Sequence, residues 1–134
     1  MDKIGDWQQV DLGGGAGFAV PANARRASGT TVDSRAGWFE GDGFRITFDL
    51  GRFGERPDMP GDAGAVRSAT RIVAGRPAVE VAFEPDDEPF AWARLLYVDL
   101  GSNRSLTIRV SCDDIDRCAF AETLFESIVL PVGA

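Results

Sequence analysis

Cys112 and Cys118 are the two cysteines of this 134-residue chain, and their placement points to a chemistry more directly than any other pair. Cys112 ends the alternating run Ser105 to Cys112, where Leu106, Ile108 and Val110 share its face. Cys118 lies on a stripe of helical spacing with Ile115, Ala121, Leu124, Phe125 and Ile128. The residues between them turn the corner from strand to helix, so the two sulfurs can meet. A disulfide closing so short a loop would stabilise the fold by roughly 2–2.5 kcal/mol on the chain-entropy model. It would also imply an oxidising compartment. The rival readings are two buried free thiols, a redox pair or a metal site. The spacing is not the C-x-x-C of thiol-disulfide enzymes, and a two-cysteine metal site lacks further ligands.

A second group lies in "TTVDSRAGWFEGDGFRITFDLG", Thr30 to Gly51. Trp38 and Glu40 alternate with Phe39 before the "GDG" turn. After it, Phe44, Ile46, Phe48 and Leu50 alternate with Arg45, Thr47 and Asp49. If Phe39 points into the core, Trp38 points out, and an outward Trp beside a Glu is the kind of residue on which binding energy concentrates. Trp38, Glu40, Arg45 and Asp49, continued by Arg52 and Asp58 in the next loop, form the candidate contact surface. The plainer reading keeps Trp38 half covered by a neighbouring strand. It also has Asp33 and Ser34 bonding backbone groups where the strand starts.

A third group, Glu84, Asp86, Asp87 and Glu88, sits in "EPDDEP". Calcium requires several oxygens on a shaped loop. The EF-hand pattern is missing and prolines frame the turn. Asp86, Asp87 and Glu88 are therefore set down as a candidate cation site against the preferred reading, a solvated acidic turn. No metal and no cofactor is expected.

Other chemistries lack their carriers. The chain has no His, which removes the Ser-His-Asp triad, the Cys-His pair and imidazole ligation. Lys3 is the one lysine, so a Schiff-base or Ser-Lys mechanism has no carrier near the ordered core. Ser34 in "VDSRAG" has Val32 where a nucleophile elbow needs Gly. "LGGGAGF" misses the dinucleotide fingerprint, because Phe18 stands at the third glycine position and a β-like "FAV" follows.

The net charge of -7 opposes phosphate backbones and anionic lipid, so no nucleic-acid partner is expected. No apolar run reaches the roughly 18 residues of a membrane span, so no membrane insertion is expected either. Length and an apolar share of 44% fit a single domain, residues 1–134, with residues 1–6 as a loose N-terminus.

These residues need elements to position them. Period-two alternation predicts strands over Trp7–Leu12, from "FAVP", across the "GDG" hairpin, and over Ala65–Val73, Ala78–Phe83, Phe90–Leu100 and Ser105–Cys112. Asn23 to Thr30 reads as a loop or a helical turn, and Arg52 to Gly64 as a long loop. The stripe from Ile115 to Ile128 predicts a helix capped by Asp113 or Asp114 and ended before Pro131. The fold class is α+β: an antiparallel sheet of about six to seven strands with a C-terminal helix packed on one face.

Asp33, Ser34, Gly37, Phe39, Gly43, Phe44, Ile46, Phe48, Asp49 and Gly51 form the pattern "VDS..G.F.G.GF.I.FD.G". It resembles a small domain of exported bacterial proteins of unknown function. The closing "LFESIVL", Leu124 to Leu130, is similar to PsbP-like domains, in which a helix ends in a short returning strand. The resemblance implies an antiparallel sheet flanked by helices and an extracytoplasmic location, with no catalytic residues to carry over. The first residues, "MDKIGDWQQ", do not read as a signal peptide, so the location expected is periplasmic or secreted with such a peptide removed, and otherwise cytoplasmic. The function expected is a non-catalytic binding module for an unknown protein or small-molecule partner. The alternative is an acidic inhibitor or immunity-type protein that covers a basic enzyme surface.

Overall fold

A computed structural model describes residues 7–13, 15–22, 24–27, 34–41, 43–51, 65–84, 90–101, 104–113 and 119–130. The strands are β1 (Gln8–Gly13), β2 (Ala16–Val20), β3 (Arg25–Ala27), β4 (Ser34–Gly41), β5 (Phe44–Gly51), β6 (Ala65–Val73), β7 (Arg76–Phe83), β8 (Trp92–Gly101) and β9 (Arg104–Cys112). One helix, α1 (Phe120–Glu126), follows them. The protein is an α+β fold, mostly antiparallel sheet with one short C-terminal helix among the described residues.

The strands form a seven-stranded sheet in the order β3-β4-β5-β9-β8-β7-β6 and a separate β1-β2 pair. The large sheet is two meanders, β3-β4-β5 and β6-β7-β8-β9, joined where β9 lies beside β5. Register at that join is unbroken from Phe44 opposite Cys112 to Gly51 opposite Ser105. Opposed residues share a face, so Phe44, Ile46, Phe48 and Leu50 meet Cys112, Val110, Ile108 and Leu106 on one side. That inner side is the core, and a one-residue slip of either strand would turn its four side chains to the other face.

Helix and hairpin close this side. Ala121, Leu124 and Phe125 of α1 and Phe18 and Val20 of β2 are buried in the same cluster. Phe48 meets Phe18 edge to face at 5.6 Å and Phe39 at 5.9 Å, and Phe120 meets Phe44 at 4.9 Å. Such ring pairs add roughly 0.5–1.5 kcal/mol beyond their buried area. Gln8 ties β1 to the approach to β3 by donating its amide to the carbonyl oxygens of Pro21 and Ala24 at 3.1 and 2.8 Å.

Two expectations change. The segment read as a loop at Asn23 to Thr30 contains β3, which pairs Arg25, Arg26 and Ala27 with Glu40, Phe39 and Trp38. Three residues are too few for alternation to show, and the strand exists because β4 offers an edge. With β3 included, the main sheet has seven strands among the described residues, within the six to seven expected, and the β1-β2 pair stands apart from it.

The helix is also shorter than its apolar stripe. It starts at Phe120 after Ala119, which makes no side-chain cap. Asp113 precedes it in a bend, and its backbone N–H donates to Gly43 O at 2.9 Å. Asp114 and Asp116 lie outside the described residues.

The helix stops at Ser127, whose hydroxyl donates to Leu124 O at 2.6 Å and accepts from Ala19 N at 2.8 Å. Ile128 is still buried, but it lies past the helix, its N–H donating to Phe125 O at 3.4 Å. Val129 then pairs with Gly17 through two backbone hydrogen bonds of 2.8 and 3.0 Å. A Cβ on Gly17 would sit 2.5 Å from Val10 O, so only glycine fits between β1 and this returning segment.

Candidate functional site on the outer face of the sheet

The polar positions of β4 and β5 must point away from the core, and they do. Trp38 lies opposite Thr47 and Glu40 opposite Arg45, while Asp49 lies opposite Thr107 on β9. Trp38, Glu40, Arg45 and Asp49 therefore share the outer face. Trp38 is half-buried, and its indole N–H donates to Glu40 Oε2 at 3.2 Å. Arg45 reaches the same oxygen at 3.4 Å and places its guanidinium over the Phe90 ring at 5.5 Å. The half-covered reading of Trp38 thus holds together with its outward direction. A pair this exposed adds at most about 1 kcal/mol and is weakened by salt.

Beneath these tips the face is closed. Arg45 Nε, Asp49 Oδ1 and Ser105 Oγ are buried and make no hydrogen bond among the described residues. Further along, Val81, Phe83 and Ala93 form a small buried cluster, and Arg109 lies over Phe83 at 5.1 Å. The rest of the expected contact surface, Arg52 and Asp58, lies outside the described residues, as do Asp86, Asp87 and Glu88. Among the described residues no group of carboxylates and cysteines is placed to hold a metal ion. Cys112 is fully buried and is not a free thiol. Cys118 lies outside the described residues.

Two features escape the sequence pattern. The first is a groove of about 420 Å³ at the far edge of the outer face, lined by Thr70, Ile72, Pro77, Val79, Tyr97 and Asp99. Its size is that of a small ligand or a few peptide side chains. Ile72 is 70% exposed there, one of only two large apolar side chains so exposed among the described residues. Asp99 accepts a hydrogen bond from Gly101 N at 2.9 Å, which fixes its carboxylate at the rim. Alternation foretold the strands but not that β6 would be an edge, and the edge makes the groove.

The second is an ion-pair cluster on the inner face. Arg71, Glu80 and Arg94 occupy inward positions of β6, β7 and β8, and Glu122 comes from α1. Arg71 donates to Glu80 at 2.6 Å and to Glu122 at 2.9 Å. Arg94 donates from Nε to Glu80 at 2.5 Å and from its Nη2 to Glu122 at 3.0 Å. Both guanidinium groups lie over the Phe125 ring, at 5.7 and 5.3 Å.

Facing carboxylates are where proton transfer would be sought. Here the Arg71 hydrogen bond holds Glu122 down to about 2, against the opposing effect of burial, and Arg71 is raised in turn chiefly by Glu122. A carboxylate held ionised by two arginines is a poor acid and a poor base near neutrality. The cluster is a tie between helix and sheet. The signal that could have found it is charge at Arg71, Glu80 and Arg94 on strand positions whose parity is inward.

No protein-family model matches the chain, and no curated protein matches it.

Proposed function

We propose that this protein is a non-catalytic binding module of the extracytoplasmic space, and that it meets a protein or small-molecule partner with the outer face of its sheet. The observation that carries the reading is the division of labour between faces. Helix, hairpin and the Arg71–Glu80–Arg94–Glu122 cluster occupy the inner face, while the outer face presents both the Trp38 patch and the groove at Ile72. A charge of -7 favours a partner that is neutral or cationic at its contact and disfavours nucleic acid. Among the described residues no helix is long and apolar enough to cross a membrane.

A Cys112–Cys118 disulfide belongs to the same proposal. Full burial of Cys112 at the end of β9, its not being a free thiol, and Cys118 as the only other cysteine support it. The likeness to PsbP-like and exported domains supports the same compartment.

Photo-crosslinking from single positions tests the face. Thr47 and Thr70 are exposed on the outer face and Thr123 is exposed on the helix. A photoreactive residue at either of the first two positions should yield partner adducts, and one at Thr123 should not. Adducts from Thr123 alone would refute the assignment.

A further inference from the structure

We infer that the edge of β6 accepts an extended peptide of alternating apolar and basic residues as an added strand. The inference rests on the outer-face reading and names the occupant of its groove. β6 pairs with β7 on one side, and no strand pairs with its other side among the described residues. The sheet's opposite edge, β3, is only three residues long, whereas β6 has nine.

Long edges are protected in folded proteins by bulges, inward charges or covers. β6 uses a bulge between Ala65 and Arg67 and one inward charge, Arg71, which is tied to Glu80 and Glu122. From Arg67 to Val73 its pairing with β7 is regular, so beyond the bulge the unpaired edge is straight. Strand addition to such an edge supplies main-chain hydrogen bonds, and alternate side chains of the guest enter pockets on one face. Thr70 and Ile72 point to the outer face, where the groove lies between them, Val79 and Tyr97.

Charge chooses the guest. Asp99 stands exposed at the groove, while Arg71, the one cation of its lining, is spent on Glu80 and Glu122. A second copy would bring its own -7 and its own Asp99 to the contact, so self-pairing is opposed and a basic segment is favoured.

The test is an NMR titration of the isotope-labelled full chain with three ten-residue probes. One alternates Val and Lys, one alternates Val and Glu, and one repeats the Val-Lys sequence with its amides N-methylated along one edge. The Val-Lys peptide should shift and protect β6 amides and the signals of Tyr97 and Asp99. The Val-Glu peptide should bind at least tenfold more weakly. The N-methylated peptide should leave β6 unchanged, and Ile72→Ser should weaken the Val-Lys peptide about tenfold without altering the fold.

Equal binding of the N-methylated peptide would reduce the effect to bulk charge and overturn the inference. Absence of binding, or shifts confined elsewhere, would overturn it too. Concentration-dependent β6 shifts with a dimer mass, and no peptide present, would assign the edge to a second copy instead. If the peptides fail while Thr47 still crosslinks, the outer-face reading survives and only the strand-addition claim falls.

Discussion

Phe48 shows how much one side chain carries. It is fully buried between Phe18 and Phe39 at the centre of the sheet. Phe48→Ala is expected to cost roughly 3–5 kcal/mol, the sum of lost transfer energy and the cavity left behind. Chemical denaturation checks this, and a near wild-type midpoint would contradict the packing. Glu122 makes a different prediction. Its carboxyl is depressed from 4.5 to about 2, so its contribution to stability is complete above its ordinary range and is lost as pH falls through about 2. Melting temperatures between pH 5 and pH 2 should fall less steeply for Glu122→Gln than for wild type. Because the Glu122 side chain is 46% exposed, added salt should narrow that difference.

At the scale of elements, the β6-β7 turn holds the clearest strain. Its two residues, Ala74 and Gly75, both have positive φ, 51° and 81°. Such tight turns favour Asn-Gly, and alanine is poorly suited to the first position. Ala74→Asn should stabilise by about 0.5–1 kcal/mol, read by thermal or chemical unfolding; a loss would mean that the turn relaxes in solution. The strands themselves were legible because Phe44 to Leu50 and Leu106 to Cys112 alternate without interruption. The helix boundaries were not, since Ile128 keeps its place in the apolar stripe although the helix ends at Glu126. β3 was hidden because its existence depends on the edge of β4. The proposed contact surface was readable in part: parity put Trp38, Glu40, Arg45 and Asp49 on one face. Order within the sheet, which alone creates the groove at Ile72 and brings Arg71, Arg94 and Glu80 to Glu122, is a long-range property that no local pattern carries.

The two faces of the large sheet differ in what they present. The inner face holds Phe18, Phe39, Phe44, Phe48 and Phe125 and the closest ion pairs, and the outer face keeps an apolar edge and a half-covered tryptophan in reach of solvent. The compartment proposed for it makes a separate prediction. Cys112 and Cys118 should resist alkylation in the denatured, unreduced protein, and reduction should cost roughly 2–2.5 kcal/mol of stability. Two readily alkylated thiols would remove the argument for export. Partners are proposed to meet the outer face. The most direct measurement compares retention of a partner from an extracytoplasmic extract by the Thr47→Arg/Thr70→Arg double variant and by Thr123→Arg. All three positions are exposed, so the fold tolerates them and the added charges are alike in kind. The double variant should lose the partner with its melting temperature unchanged, while Thr123→Arg should retain it. Retention by the double variant together with loss in Thr123→Arg would place binding on the helix side and contradict the account.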